Sequence, residues 1–139
     1  MHNPKQAMIF RAAEAEAFDF VERCHISEWL NNEADPALSV ARAAVAAGVT
    51  TRWHRLRGIA ERYVVLSGEG EVDVAGLERQ VVGPGDVVVI PADTAQRISN
   101  MGSEELVFLA ICTPRFRPES YEDLDPDPMP DGEDQSRRS

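Results

Sequence analysis

The sequence predicts an all-β protein, a small closed architecture of short antiparallel strands. Nine short segments rich in β-branched or aromatic residues follow one another from "CHISEWL" to "ELVFLAICT", and Gly, Pro, Asn and Asp punctuate them. Short strands at regular spacing with turn signals read as a sandwich or barrel. No long helical pattern lies between the segments, which argues against a parallel βαβ design. Closing the sheet also protects the many strand edges that so short a chain would otherwise expose.

Taken in order, residues 1–20 form a partly irregular N-terminal segment. Its "AAEAEAF" stretch favours helix by propensity but has no apolar stripe. Residues 21–118 hold the strands: "CHISEWL", "LSVARAAVAA", "TTRWHRL", "RYVVLSG", "GEVDVA", "RQVVG", "DVVVIP", "AQRISN" and "ELVFLAICT". The turns between them include "NNEADP", "SGEG", "VGPGD" and "SNMGSEE". After Thr113-Pro114 the strand signals stop. Residues 119–139 are an acidic, proline-rich tail. Phe116 and Tyr121 have the character to pack back on the barrel. From about Asp125 the chain lacks the apolar surface to offset its ordering entropy, so its end is expected to be mobile.

The 139 residues make one domain the default expectation. No apolar run approaches a membrane span, and the N-terminus lacks the features of a signal peptide, so a cytoplasmic protein is expected. The net charge of −10 argues against nucleic acid and anionic membrane as partners. Residues 119–139 carry −6 of that charge, which leaves the barrel only mildly acidic. Cys24 and Cys112 are expected to be reduced thiols.

Side chains alternate along a strand. In "TTRWHRL", Arg52, His54 and Leu56 therefore share one face, and Trp53, Arg55 and Arg57 share the other. The next strand places Glu61, Tyr63 and Val65 on one face, and a later one pairs Gln96 with Ile98. If the hairpin turns His54 and Glu61 inward, an imidazole and a carboxylate meet in the interior. That is costly unless they are paired or metal-bound. The competing reading points Glu61 to solvent and leaves His54 a satisfied, half-buried histidine. Spacing alone leaves both open.

These two clusters resemble the two motifs of the cupins. Gly48, His54, Leu56, Glu61 and Gly68 stand at the spacings of the first motif. Gly85, Pro91, Asp93, Gln96 and Asn100 stand at those of the second. The resemblance covers about residues 48–113 and implies a cupin-type double-stranded β-helix, a jelly-roll barrel. It also implies a divalent metal held by two histidines and the glutamate of the first motif and one histidine of the second. Here Leu56 and Gln96 occupy two of the histidine positions. His54, Glu61 and Gln96 remain as the candidate ligand set for Fe, Mn, Ni or Zn, with Gln96 offering an amide oxygen. No nucleotide cofactor is expected.

His2 sits in the terminal segment. His25 and Cys112 are weaker candidates for the gap in the ligand set. The bland readings are an exposed strand histidine and a small buried thiol. Tyr63 is a candidate proton donor or a satisfied core aromatic. Arg52 is a candidate anchor for an anionic substrate or an ion-paired rim residue. Trp29 and Trp53 are expected outside the barrel, and Asp73 and Asp93 at turns or the rim.

Three functions follow. The leading one is a metal-dependent small-molecule enzyme of oxygenase, isomerase or lyase type. The second is a metal-free isomerase, epimerase or lyase with His54 as base, Glu61 as its partner and Tyr63 as acid. The third is a small-ligand-binding barrel without turnover. The candidate substrate contacts are Arg52, Leu56, Gln96 and Ile98. The resemblance further implies a homodimer in which N-terminal strands extend a partner's sheet.

Overall fold

The structure, a computed structural model, describes residues 4–20 and 23–127. His2 and the tail from residue 128 onward lie outside the described residues. The strands are β1 (Ala17–Phe20), β2 (Cys24–Leu30), β3 (Ser39–Val45), β4 (His54–Leu56), β5 (Ala60–Ser67) and β6 (Gly70–Val74). They continue with β7 (Gln80–Val82), β8 (Val87–Ile90), β9 (Gln96–Ser99), β10 (Leu106–Thr113) and β11 (Tyr121–Asp123). The described residues hold no α-helix, only two 3-10 turns at Ala12–Glu14 and Pro118–Ser120.

The strands form two antiparallel sheets, a six-stranded one in the order β1-β2-β3-β10-β5-β8 and a five-stranded one in the order β11-β4-β9-β6-β7. Packed face to face, they make the expected jelly-roll barrel. Period-2 alternation fills it: Ile26, Ala43, Val65, Val72, Ile90, Ile98 and Phe108 are all buried in one cluster. All nine segments read from the sequence are strands. The free thiols of Cys24 and Cys112 are both buried. No helix among the described residues is long and apolar enough to cross a membrane.

Two stretches differ from the expectation. The helix-favouring "AAEAEAF" is a 3-10 turn followed by strand β1, because Ala17–Phe20 pairs with Ser27–Cys24 of β2. Tertiary pairing overrides a propensity of a few tenths of a kcal/mol per residue. The strands also do not stop at Thr113: Tyr121–Asp123 joins β4, with Tyr121 opposite Leu56 and Asp123 opposite His54. A three-residue strand is too short to announce itself by alternation.

Motif residues without obvious chemistry fasten the barrel. Gly68 has φ +81°, and a Cβ there would lie 2.6 Å from the Glu105 carbonyl oxygen. Asp93 stands where the second motif usually has glycine and keeps the left-handed backbone, with φ 65°. Aspartate is among the few non-glycine residues that tolerate it. Its carboxylate accepts the Gly58 N–H at 3.0 Å, and its own N–H donates to the Leu56 carbonyl at 3.0 Å, tying this turn to the β4–β5 hairpin.

Asn100 is 1% exposed and donates to the carbonyls of Val45 (2.9 Å) and Glu104 (2.8 Å), while its Oδ1 accepts the Gly102 N–H at 3.0 Å. Asn100→Ala leaves these buried groups unsatisfied and should cost about 2–3 kcal/mol. Urea unfolding measures this, with the expected drop in midpoint at unchanged slope.

Candidate active site

β4 is short, yet it sets the site. Arg52, His54 and Leu56 are all buried, at 0%, 2% and 3% exposure. The His54 Nδ1 lies 2.7 Å from the Arg52 carbonyl oxygen. A carbonyl only accepts, so Nδ1 carries a proton, and in the neutral imidazole the lone pair sits on Nε2. The ring stacks on Tyr121, with centroids 4.9 Å apart and planes 19° from parallel.

Strands β5, β9 and β10 supply the facing groups. Glu61 and Tyr63 alternate inward from β5, and Cys112 of β10 stands opposite Glu61 in register. Gln96 of β9 links them. The Tyr63 hydroxyl donates to Gln96 Oε1. Gln96 Nε2 donates to Glu61 Oε1 at 2.7 Å, and the Cys112 thiol lies 3.8 Å from Glu61 Oε2 as a weak donor. Tyr63 packs against Phe108 with ring centroids 4.5 Å apart.

His54, Leu56, Glu61, Tyr63, Cys112 and Tyr121 border an interior cavity of about 20 Å³. That is room for about one water molecule. Of the two arrangements that spacing leaves open for Glu61, the structure has the inward one, with His54, Glu61 and Tyr63 on one interior. Gln96 sits behind Glu61 and Tyr63 rather than on the cavity wall, and Ile98, at 0% exposure, belongs to the core. Arg52 is also away from the cavity. Its guanidinium donates from Nε (3.1 Å) and Nη2 (3.1 Å) to the Asp123 carboxylate, and from Nη2 to the Asp127 carbonyl.

His25 points outward and pairs with Asp19 at 3.0 Å. Trp53 lies outside under the Arg97 guanidinium, 5.4 Å from the ring centroid, and Arg97 in turn pairs with Asp73 at 3.2 Å. The sequence points to Phe116 and Tyr121 only as residues that pack back on the barrel, and both border the cavity; Glu28, which it does not single out, borders it as well. Glu28 follows Ile26 by two residues, so strand alternation would have turned it inward.

The donor chemistry does not fit a resident divalent ion. Gln96 gives its oxygen to Tyr63 and its amide N–H to Glu61, so it holds the carboxylate rather than presenting a ligand atom. Among the described residues, no three His, Cys, Asp or Glu side chains gather to ligate one ion.

The tail forms a strap over β4. Leu124 N–H donates to the Trp53 carbonyl at 2.8 Å, Trp53 N–H donates to Asp125 at 3.1 Å, and Arg55 Nε pairs with Glu122 at 2.7 Å. Burial opposes the Arg52 charge, but the hydrogen bond to Asp123 and the charges of Asp123 and Asp125 outweigh it and raise its pKa. Burial pushes the Asp125 carboxyl up. The Asp127 and Trp53 N–H groups and the Arg52 and Arg23 charges more than reverse that, leaving it below its ordinary value. The hydrogen bond from Arg55 likewise lowers Glu122.

The chain belongs to the cupin family: residues 41–112 match the family model described as Cupin domain. Among solved structures it resembles the nucleoside dehydratase Pac13 at 18% identity, over 86% of this chain and 92% of that one, with a TM-score of 0.72. The same protein, from Streptomyces, has variants solved with uridine. KdgF from Halomonas sp. matches at 19% identity over 80% of this chain and 96% of that one, TM-score 0.68. A predicted oxalate decarboxylase from Thermotoga maritima matches at 27% identity over 76% and 98%, TM-score 0.66. No curated protein matches the sequence.

Two predictions follow from the strap. Arg52→Met strands the largely buried Asp123 carboxylate and should cost about 3 kcal/mol in chemical denaturation. Asp125 and Glu122 have lowered folded pKa values. Their stabilisation is therefore present above the ordinary carboxylate range and lost as pH falls through the folded values. Stability curves at successive pH values should fall on acidification, and Asp125→Asn combined with Glu122→Gln should flatten that fall.

Proposed function

We propose that this cupin is a small-molecule enzyme of lyase or isomerase type that works by acid–base chemistry in the barrel without a resident metal ion. The Tyr63–Gln96–Glu61 hydrogen-bond chain carries the reading. It turns the residue at a usual metal-ligand position into a brace for the carboxylate.

His54 is the base. Its Nδ1 proton is committed to the Arg52 carbonyl, so Nε2 takes the substrate proton and later returns it to a neighbouring carbon or a leaving group. The imidazolium formed meanwhile is stabilised by Glu61 on the same cavity and by the stacked Tyr121 ring. The small cavity keeps bulk water from the reacting atoms. The fold neighbours include a dehydratase, a reaction that also moves a proton and a hydroxyl, which supports the class by analogy alone. The metal-dependent reading would require Gln96 to release both of its neighbours.

Solvent-deuterium incorporation, followed by proton NMR on a panel of nucleosides, keto sugars and uronates, tests the proposal. Chelator-treated protein should retain its exchange rate, and His54→Gln should lower it on the order of 100-fold. Loss of exchange on chelation with recovery on adding Mn, Fe, Ni or Zn would show a metal-dependent enzyme instead.

A further inference from the structure

The barrel cavity has room for about one water molecule, too little for a metabolite, but it shares a wall residue with a larger outer space. Glu28 borders it together with His54 and Glu61, and the same Glu28 borders an outer groove of about 280 Å³. That groove lies between the N-terminal segment and the end of β2, with Phe10 on one wall and Trp29, Asn31 and Asn32 on the other. The Glu28 N–H donates to the Glu16 carbonyl at 3.3 Å, closing the β1–β2 ladder where the N-terminal segment diverges.

Glu28 is held in place. Its Oε2 accepts from Asn31 Nδ2 at 2.6 Å. Asn31 is in turn fixed by donation to the Phe116 carbonyl (3.0 Å) and by acceptance from Arg115 Nε (2.9 Å). A carboxylate at such a junction accepts hydrogen bonds from hydroxyl or amide N–H groups. Phe10 and Trp29 offer ring faces at low entropic cost. The groove's ionisable residues are Glu14, Glu16 and Glu28 against Arg11, an acidic balance that disfavours anionic ligands.

We infer that this groove is the substrate-binding subsite, and that it takes an uncharged ring compound rich in hydroxyl or amide donors, a nucleoside or sugar without phosphate or carboxylate. Glu28 contacts the ligand at the junction, and only the reacting group enters the barrel toward His54. The inference rests on the acid–base reading for what happens inside the barrel, but the groove's ligand preference is read by binding alone.

Amide-shift NMR titration of the full chain provides the test, with uridine and methyl glucoside as neutral probes and uridine monophosphate and glucose 6-phosphate as charged ones. At least one neutral probe should bind with shifts at Phe10, Trp29 and Asn31, about tenfold tighter than its phosphate. Glu28→Gln and Trp29→Phe should each weaken that probe severalfold, while His25→Gln, on the outer face of β2 and away from the groove, should bind it as the wild type does. Replacing exposed Glu14 and Glu16 together by Lys should raise phosphate affinity without disturbing the core. Binding of none of the four probes overturns the inference. So does phosphate binding as tight as neutral binding, or an unchanged dissociation constant in both groove variants. Neutral-probe binding combined with full exchange activity in His54→Gln would instead sink only the acid–base reading.

Discussion

Arg52 is the constraint on which the site depends. Its backbone carbonyl accepts the His54 Nδ1 proton, and its fully buried guanidinium grips Asp123 across the β4–β11 pair. One residue thus sets the histidine tautomer and seats the strap that stacks Tyr121 on the imidazole. A buried arginine is tolerable only when its charge is answered, and the tail supplies that answer. The tail and His54 are therefore parts of one structure, although more than 60 residues separate them in sequence.

Gln96 plays the matching role on the other side of the cavity. A glutamine is neutral and both donates and accepts, so it can sit between a phenol and a carboxylate and satisfy both. The cupin barrel keeps its geometry, and hydrogen bonds from Tyr63 to Gln96 and from Gln96 to Glu61 organise its centre. Asp93 makes the same point for the backbone, since it takes over a glycine's conformation and adds a clamp onto the β4–β5 turn.

The facing of the site's side chains along each strand was largely legible in the sequence. Alternation alone put His54 with Leu56 and Glu61 with Tyr63, and the motif spacing joined them to Gln96 and Asn100. The tail was not legible, because a run of Asp, Glu and Pro has the composition of a solvated segment. Nothing in it reveals that Glu122, Asp123 and Asp125 have partners on one short stretch, Arg52 to Arg55. The Arg52 side chain was placed on the correct face, but whether it met a ligand or an aspartate depended on that strap. Glu28 was readable by alternation from Ile26. The β2 segment attracted attention for His25, which lies on its opposite face.

The state of His54 tests the central claim most directly. Long-range nitrogen–proton correlation spectra of the histidine side chains report which ring nitrogen carries the proton and whether the other one binds an ion. The predicted result is a His54 ring protonated at Nδ1 whose Nε2 signal is unchanged when zinc, nickel or manganese is added. A His54 Nε2 signal that shifts to a metal-bound position, or broadens selectively with a paramagnetic ion at stoichiometric addition, would contradict it.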